Sequence, residues 1–269
     1  MSSKPRVAFF DFACCEGCQL AVLRLGETLF ELLEHVEVVN WREVMTGASD
    51  DYDIAFCEGS IRWQKDIERI QKIRETADIL VSLGTCATIG CHNAIRNDWP
   101  LDTLRQTVYG DPTFPAGIIT ARPITAVVDV DYQTLGCPVS APEFVKVFKA
   151  ILTRQKYDPP NSPVCVECKL NDYPCVYEKN QVCLGPLTRC GCNAICTRYG
   201  DACRGCRGLV DGANLEGAVR ALGADGAGRH PIMERVISAH GLSEADILEM
   251  FGTYNTWPKA ERKDYQYED

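Results

Sequence analysis

The chain has 269 residues, 46% of them hydrophobic, and a formal net charge of −9. That is enough apolar matter for a buried core in one large or two ordinary domains. The acidic balance, without any long basic run, excludes a protein that tracks nucleic-acid phosphates, and no stretch approaches ~20 uninterrupted apolar residues, so no membrane span is expected.

PRVAFFDF (5–12) predicts a short buried strand. The N-terminal MSSKPRVAFFDFACC does not read as a signal peptide, because its apolar run is short and meets acids and cysteines at once. With no twin-arginine pair near the start, a cytoplasmic location is expected. A helix is predicted from Gln19 to about His35, with Leu20, Leu23, Phe30 and Leu33 on one face. VEVVNW (36–41) and YDIAFCEG (52–59) read as strands, and IRWQKDIERIQKIRETA (61–77) as an exposed amphipathic helix with a solvated charged face. DILVSLG (78–84) is a fourth strand and ITAVVDV (124–130) a candidate fifth. PEFVKVFKAILTR (142–154) closes this half with a helix. Strands separated by helices imply right-handed βαβ units in a parallel, doubly wound α/β sheet.

YDPPNSP (157–163) reads as a linker. Nine cysteines then fall between 165 and 206, among glycines and prolines and with almost no helix or strand periodicity. Such a module needs metal to hold it together. Beyond Gly212, NLEGAVRALGA, HPIMERVISAHG and SEADILEMFGTY read as short helices before a polar tail. The expected domains are 1–157 and 158–269.

Sixteen cysteines without an export signal point to metal binding more than to disulfides. CVEC (165–168) and CRGC (203–206) each aim two thiolates at one centre, and thiolates select zinc or iron–sulfur clusters. The first half discriminates further. CEGC (15–18) follows the first strand, GTC (84–86) the fourth, and GCP (136–138) the candidate fifth. Open α/β sheets bind ligands beyond the carboxyl ends of their strands, so these distant cysteines lie on one edge. A structural zinc site has local ligands; a site built from three strand ends is a functional placement. Flanking glycines let backbone N–H groups approach cluster sulfurs. No glycine-rich phosphate loop follows the first strand, where FACCEGC stands instead.

CEGC, EGSI (58–61), GTCAT (84–88), GCP, CLGPLTRCGC (183–192) and CRGC, in that order, resemble the small subunit of [NiFe]-hydrogenases. The likeness spans about residues 5–210. The N-terminal half is also similar to the 20-kDa subunit of respiratory complex I, which lacks the second cysteine-rich module. The resemblance implies a flavodoxin-like domain without bound flavin, followed by a cysteine-rich iron–sulfur module with short helices. It implies three [4Fe–4S] clusters: proximal on Cys15, Cys18, Cys86 and Cys137; distal on Cys165, Cys168, Cys175 and Cys183; medial on Cys192, Cys196, Cys203 and Cys206. Cys165 replaces the histidine of periplasmic members, and Cys196 supplies a fourth medial thiolate, as in cytoplasmic multisubunit enzymes.

The resemblance further implies an electron-relay subunit without catalytic residues of its own, since no motif here supplies nickel ligands. Its partners would be a hydrogenase large subunit holding the Ni–Fe centre and an iron–sulfur flavoprotein that reacts with NAD(P). The NAD(P)-linked sulfhydrogenase-like group fits best. An F420- or heterodisulfide-reductase-linked hydrogenase is the alternative within the class, a complex-I-like quinone-reducing subunit ranks below it, and a zinc-stabilised interaction module is the alternative outside it.

Cys14 is the expected spare of its triplet, and Cys57 reads as a small core residue. Cys91 and Cys190 lie near ligands, either as alternative ligands or redox-active spares or without a role. Glu58 is expected to hold cluster loops or meet the partner, Glu16 to be solvated or at an interface, and His92 to cap or face a partner. His230 and His240 are read as structural.

Overall fold

The computed structural model describes residues 4–179 and 181–214; the helices expected beyond Gly212, with His230 and His240, lie outside the described residues. Two compact units divide the chain after Tyr157.

The first unit runs β1 (Arg6–Asp11), α1 (Gly17–Leu23), α2 (Glu27–Leu33), β2 (Glu37–Trp41), β3 (Ile54–Glu58), β4 (Ile61–Trp63), α3 (Gln64–Thr76), β5 (Ile79–Leu83), α4 (Thr85–Ile89), α5 (Cys91–Ile95), α6 (Leu101–Tyr109), β6 (Ile118–Arg122), β7 (Tyr132–Gln133) and α7 (Ala141–Leu152). The main sheet has the order β2-β1-β3-β5-β7, every pair parallel. Leaving out β4 and β6, which form their own antiparallel pair, this is the flavodoxin-like order 2-1-3-4-5, whose switch point lies between β1 and β3.

Both faces of the sheet are covered, so the middle of β1 and all of β3 are buried. Val7 and Phe9 of β1, with Phe56 of β3, face α1, α2 and α7. There Phe9 stacks on Trp41 at 4.0 Å and on Phe56 at 4.9 Å, and Phe56 meets Phe148 at 5.9 Å. Ala8 and Phe10, with Ala55 and Cys57, face α3, which presents Ile67, Ile70 and Ile73. The strand period of two sends alternate residues to opposite layers. Cys57 is completely buried among them, a core residue as expected.

Three local expectations are corrected. The helix expected over 19–35 is two helices, because Gly26 has φ +59 and ψ −126, a conformation suited to glycine alone. The break resets the phase: Val22, Leu29 and Leu32 are buried, whereas Leu20 and Phe30 are 47% and 70% exposed. Residues 61–63 form β4 rather than the start of a helix, since Ile61 and Trp63 pair with Arg122 and Ile118 of β6. The run 124–130 is not a strand. After Pro123 it turns through a short 3-10 helix, burying Ile124 and Thr125, and Val127, Val128 and Val130 pack against the α3 layer. The fifth strand is instead Tyr132–Gln133, paired with Val81 and Ser82.

The second unit contains α8 (Val164–Leu170), a 3-10 turn at Val176–Lys179 and α9 (Ile195–Arg198). Its core is small, built from Val164, Val176, Tyr177, Leu184, Leu187 and Ala194 with Cys168, Cys183 and Cys203 among them. Isolated bridges, Pro163–Arg189 and Thr188–Leu209, stand in for a sheet. So little apolar burial leaves a unit that binding at its thiols would stabilise.

Candidate metal centres

In the first unit the thiols gather beyond the carboxyl ends of β1, β5 and β7. The chain leaves β1 hydrogen-bonded to β3, with Phe12 N–H on Glu58 O at 2.8 Å. It turns through Glu16 at φ +61 and enters α1, placing Cys18 on the buried side. β5 ends at Gly84 (φ +81). A Cβ at Gly84 would lie 2.3 Å from Cys18 Sγ, so only glycine leaves room for that sulfur. The 84–86 and 134–137 segments are tied together: Thr85 N–H donates to Gly136 O at 3.0 Å, Gly136 N–H to Thr85 Oγ1 at 2.7 Å, and Gly84 N–H to Thr134 Oγ1 at 2.9 Å.

Cys18, Cys86 and Cys137 thus lie within electrostatic reach of one another. Cys15 is exposed at the rim, its Sγ 3.2 Å from where a Cβ would stand on Gly17, a position that also abuts Pro138. Glu58, 2% exposed, accepts hydrogen bonds from the N–H groups of Cys18 at 3.1 Å and Gln19 at 3.0 Å. Burial raises its carboxyl, and the two amides oppose the rise. Cys14 is pushed up to about 12, by burial first and then by Glu58. Glu16 pairs with the exposed Arg42, a solvent-side role.

Cys91 has more company than its sequence context suggests. It is 1% exposed and holds φ +46 after Gly90 at φ +89. Its thiol lies against the sulfurs of Cys86 and Cys137 and lowers both, Cys137 to about 6, while Cys91 itself is raised. The ligand atoms of Cys91, His92 and Cys137 all lie within 4.8 Å of one another. The glycine before Cys91, matching those beside Cys86 and Cys137, is the signal that could have marked it.

In the second unit Cys165 and Cys168 sit on α8, and Cys175 and Cys183 approach them. Cys165 is pushed up to about 11 by burial, then by Cys183, Cys168 and Cys175. A Cβ on Gly185 would lie 3.4 Å from both Cys165 Sγ and Cys183 Sγ. Cys203 N–H donates to Cys183 Sγ at 3.2 Å, linking this group to the next. Cys203 and Cys206 interact, Cys203 being pushed up to about 12 mainly by burial. Cys192 lies beside Glu167 and Arg207, and Cys196 on α9 beside Asp201 and Arg204. Cys190 is buried, its own N–H bonded to Ser162 O at 2.8 Å.

One feature recurs in both units: backbone N–H groups lie near thiol sulfurs and lower them. Cys203 N–H donates to Cys183 Sγ at 3.2 Å, and nearby backbone N–H groups hold thiols down: Val139 for Cys18, His92 for Cys86, Gly185 for Cys183, Gly205 for Cys203 and Ile195 for Cys192. Amides near sulfur, with glycines opening the approach, fit the surroundings of an iron–sulfur cluster, whose potential such bonds tune. Cysteine sulfur is a soft donor, suited to such clusters.

Residues 15–151 match the family described as NADH ubiquinone oxidoreductase, 20 Kd subunit. Sulfhydrogenase 2 subunit delta of Pyrococcus furiosus is 35% identical over 81% of this chain and 92% of its own length. One chain of the F420-non-reducing hydrogenase vhu of Methanococcus voltae is 29% identical over 78% of this chain and 84% of its own. Among solved structures, an NAD+-reducing [NiFe]-hydrogenase in its H2-reduced state has a chain that aligns with TM-score 0.51 and 26% identity, over 58% of this chain and 96% of that one.

Proposed function

Because the chain belongs to the NADH ubiquinone oxidoreductase 20-kDa subunit family, among its hydrogenase small subunits, we propose that it relays electrons between a large-subunit Ni–Fe centre and an NAD(P)-reactive flavoprotein through three [4Fe–4S] clusters. The proximal cluster is assigned to Cys15, Cys18, Cys86 and Cys137 in a domain over 1–157. The distal cluster is assigned to Cys165, Cys168, Cys175 and Cys183, and the medial to Cys192, Cys196, Cys203 and Cys206, in a domain over 158–269. The relay is placed in the cytoplasm, and no helix of the described residues is long and apolar enough to cross a membrane.

The observation that supports this most is the approach of distant cysteines to one another, Cys18 with Cys86 and Cys137 and Cys165 with Cys168, Cys175 and Cys183, with backbone N–H groups nearby. Bound clusters would supply one-electron transfer; the protein's part is to fix their spacing, exclude water and set their potentials. Glu58 holds the Cys18 turn, and Gly84 keeps Cys18 Sγ against the end of β5. Metal and sulfide analysis of the anaerobically purified complex tests the reading. About twelve irons with as many sulfides is the expected content for three such clusters. Two or three zincs without sulfide would establish the interaction-module reading instead.

The likeness to a chain of an NAD+-reducing [NiFe]-hydrogenase over 58% of this chain favours an NAD(P)-type acceptor. The sequence resemblance carries a second reading, transfer towards a heterodisulfide reductase. The chains that co-purify and the acceptor reduced under H2 separate the two.

A further inference from the structure

The second unit buries a charge that the relay reading leaves unused. Arg207, directly after Cys206, is 1% exposed. Its Nε donates to Cys190 O at 2.8 Å and to Arg189 O at 3.2 Å. Its guanidinium fills the space beside Gly191, where a Cβ would stand 2.3 Å from Nη2 and 2.9 Å from Cζ. Glu167, directly before Cys168, reaches the same place. Its Oε1 accepts from Gly191 N–H at 2.8 Å, and its Oε2 accepts from Ala194 N–H at 3.1 Å and lies 3.9 Å from Cys192 Sγ.

Arg207 therefore grips the carbonyl, and Glu167 the N–H, of one peptide unit, Cys190–Gly191. A trans peptide directs these two groups to opposite sides, so the cation and the carboxylate flank the strand of chain that leads into Cys192. Burying a guanidinium is costly unless it serves structure or function. A neutral residue could hold the peptide with hydrogen bonds alone; full charges of opposite sign also impose a field. In a weakly screened interior that field extends over several ångströms, and a nearby cation favours a reduced cluster while a nearby anion disfavours it.

We propose that Arg207 and Glu167 are positioning residues that set the reduction potential of the centre at Cys192, Cys196, Cys203 and Cys206 in opposite senses. This rests on the cluster reading given above. The carboxylate and the guanidinium also act on Cys192 itself with opposite signs. Glu167 belongs to the CVEC segment and Arg207 follows the CRGC segment, so the two assigned sites of this unit each contribute one charge to the loop that leads into Cys192.

The test is an EPR-monitored redox titration of the purified complex, with iron content and thermal midpoint measured on every sample. Arg207→Met should lower the midpoint potential of that centre, Arg207→Lys should keep it near the parent value, and Glu167→Gln should raise it. The potential of the centre at Cys15, Cys18, Cys86 and Cys137 should not follow. If both neutral variants load fully and shift the potential the same way, or not at all, the two residues are only a clamp and the proposal fails. If Arg207→Met loses iron, Arg207→Lys and Glu167→Gln still decide by the same signs. A parent complex without iron or sulfide would overturn the cluster reading itself, a result distinct from a loaded complex with unresponsive potentials.

Discussion

Glu58 Oε1 lies 3.1 Å from the backbone nitrogen of Cys18, joining the end of β3 to the turn after β1 at the sheet's switch point. The second carboxylate oxygen takes the Gln19 N–H at 3.0 Å. Glu58→Ala would strand both buried donors and cost about 2–6 kcal/mol, at 1–3 kcal/mol for each unsatisfied group. Glu58→Gln keeps an acceptor and no longer has to bury a charge. Burial raises the folded pKa of Glu58. Its contribution is therefore most favourable below the unfolded carboxyl value and is lost as pH rises through the folded one. Near neutral pH the Gln variant should match or exceed the parent in thermal midpoint, with the gap closing in acid. A Gln variant as unstable as the Ala variant would show that the charge itself holds the turn.

Gly84 and Gly26 make a matched pair. Both have positive φ, +81 and +59, but a Cβ at Gly84 meets Cys18 Sγ at 2.3 Å, whereas one at Gly26 meets nothing within 4 Å. Gly26→Ala should cost about 1–3 kcal/mol of backbone strain and leave iron content unchanged. Gly84→Ala should remove the proximal site and bring the iron count from about twelve to about eight, four per lost cluster. Equal iron in both variants would refute the role given to Gly84.

Among the thiols of FACCEGC, Cys14→Ser should leave the proximal EPR signal in place, while Cys15→Ser and Cys18→Ser should alter or abolish it. Cys14 is half-buried beside Glu58 and raised to about 12. Its thiol therefore stays protonated at neutral pH in the metal-free chain. Loss of the signal at position 14 equal to that at 15 would reverse the assignment.

The contact from Cys91 to Cys137 predicts a pH profile in the chain stripped of metal. The neighbouring Cys91 thiol is the largest cause of the Cys137 shift to about 6. Alkylation of Cys137, followed by mass spectrometry, should be half-maximal near pH 6. In Cys91→Ala it should move up towards the ordinary thiol value of about 8.5. An unchanged profile would mean that Cys91 does not act on Cys137.

Much of this was legible in the sequence because it is written in short-range spacing. Buried parallel strands need apolar runs, so β1, β2, β3 and β5 stand where 5–12, 36–41, 52–59 and 78–84 read as strands. The glycine-flanked cysteines mark the turns beyond them, and the ordered motifs carry the family likeness. Decisions that depend on a distant partner were not legible. Whether Ile61–Trp63 joins a helix or a strand is settled by pairing with β6, some 60 residues away. The valine run at 124–130 satisfies its apolar need by packing on the α3 layer, which leaves the last place in the sheet to Tyr132–Gln133.

The sequence by itself determined the fold class, the layering and the cysteine-rich character of the chain, because strand and helix periods and residue types are properties of neighbouring residues. Only the tertiary structure decided which groups surround each sulfur. It placed Glu58 against the Cys18 and Gln19 amides, brought Cys91 to Cys86 and Cys137, and set Arg207 and Glu167 on opposite sides of the Cys190–Gly191 peptide. A buried charge or a shared hydrogen bond requires chain segments to meet across tens of residues, and no local pattern encodes that meeting.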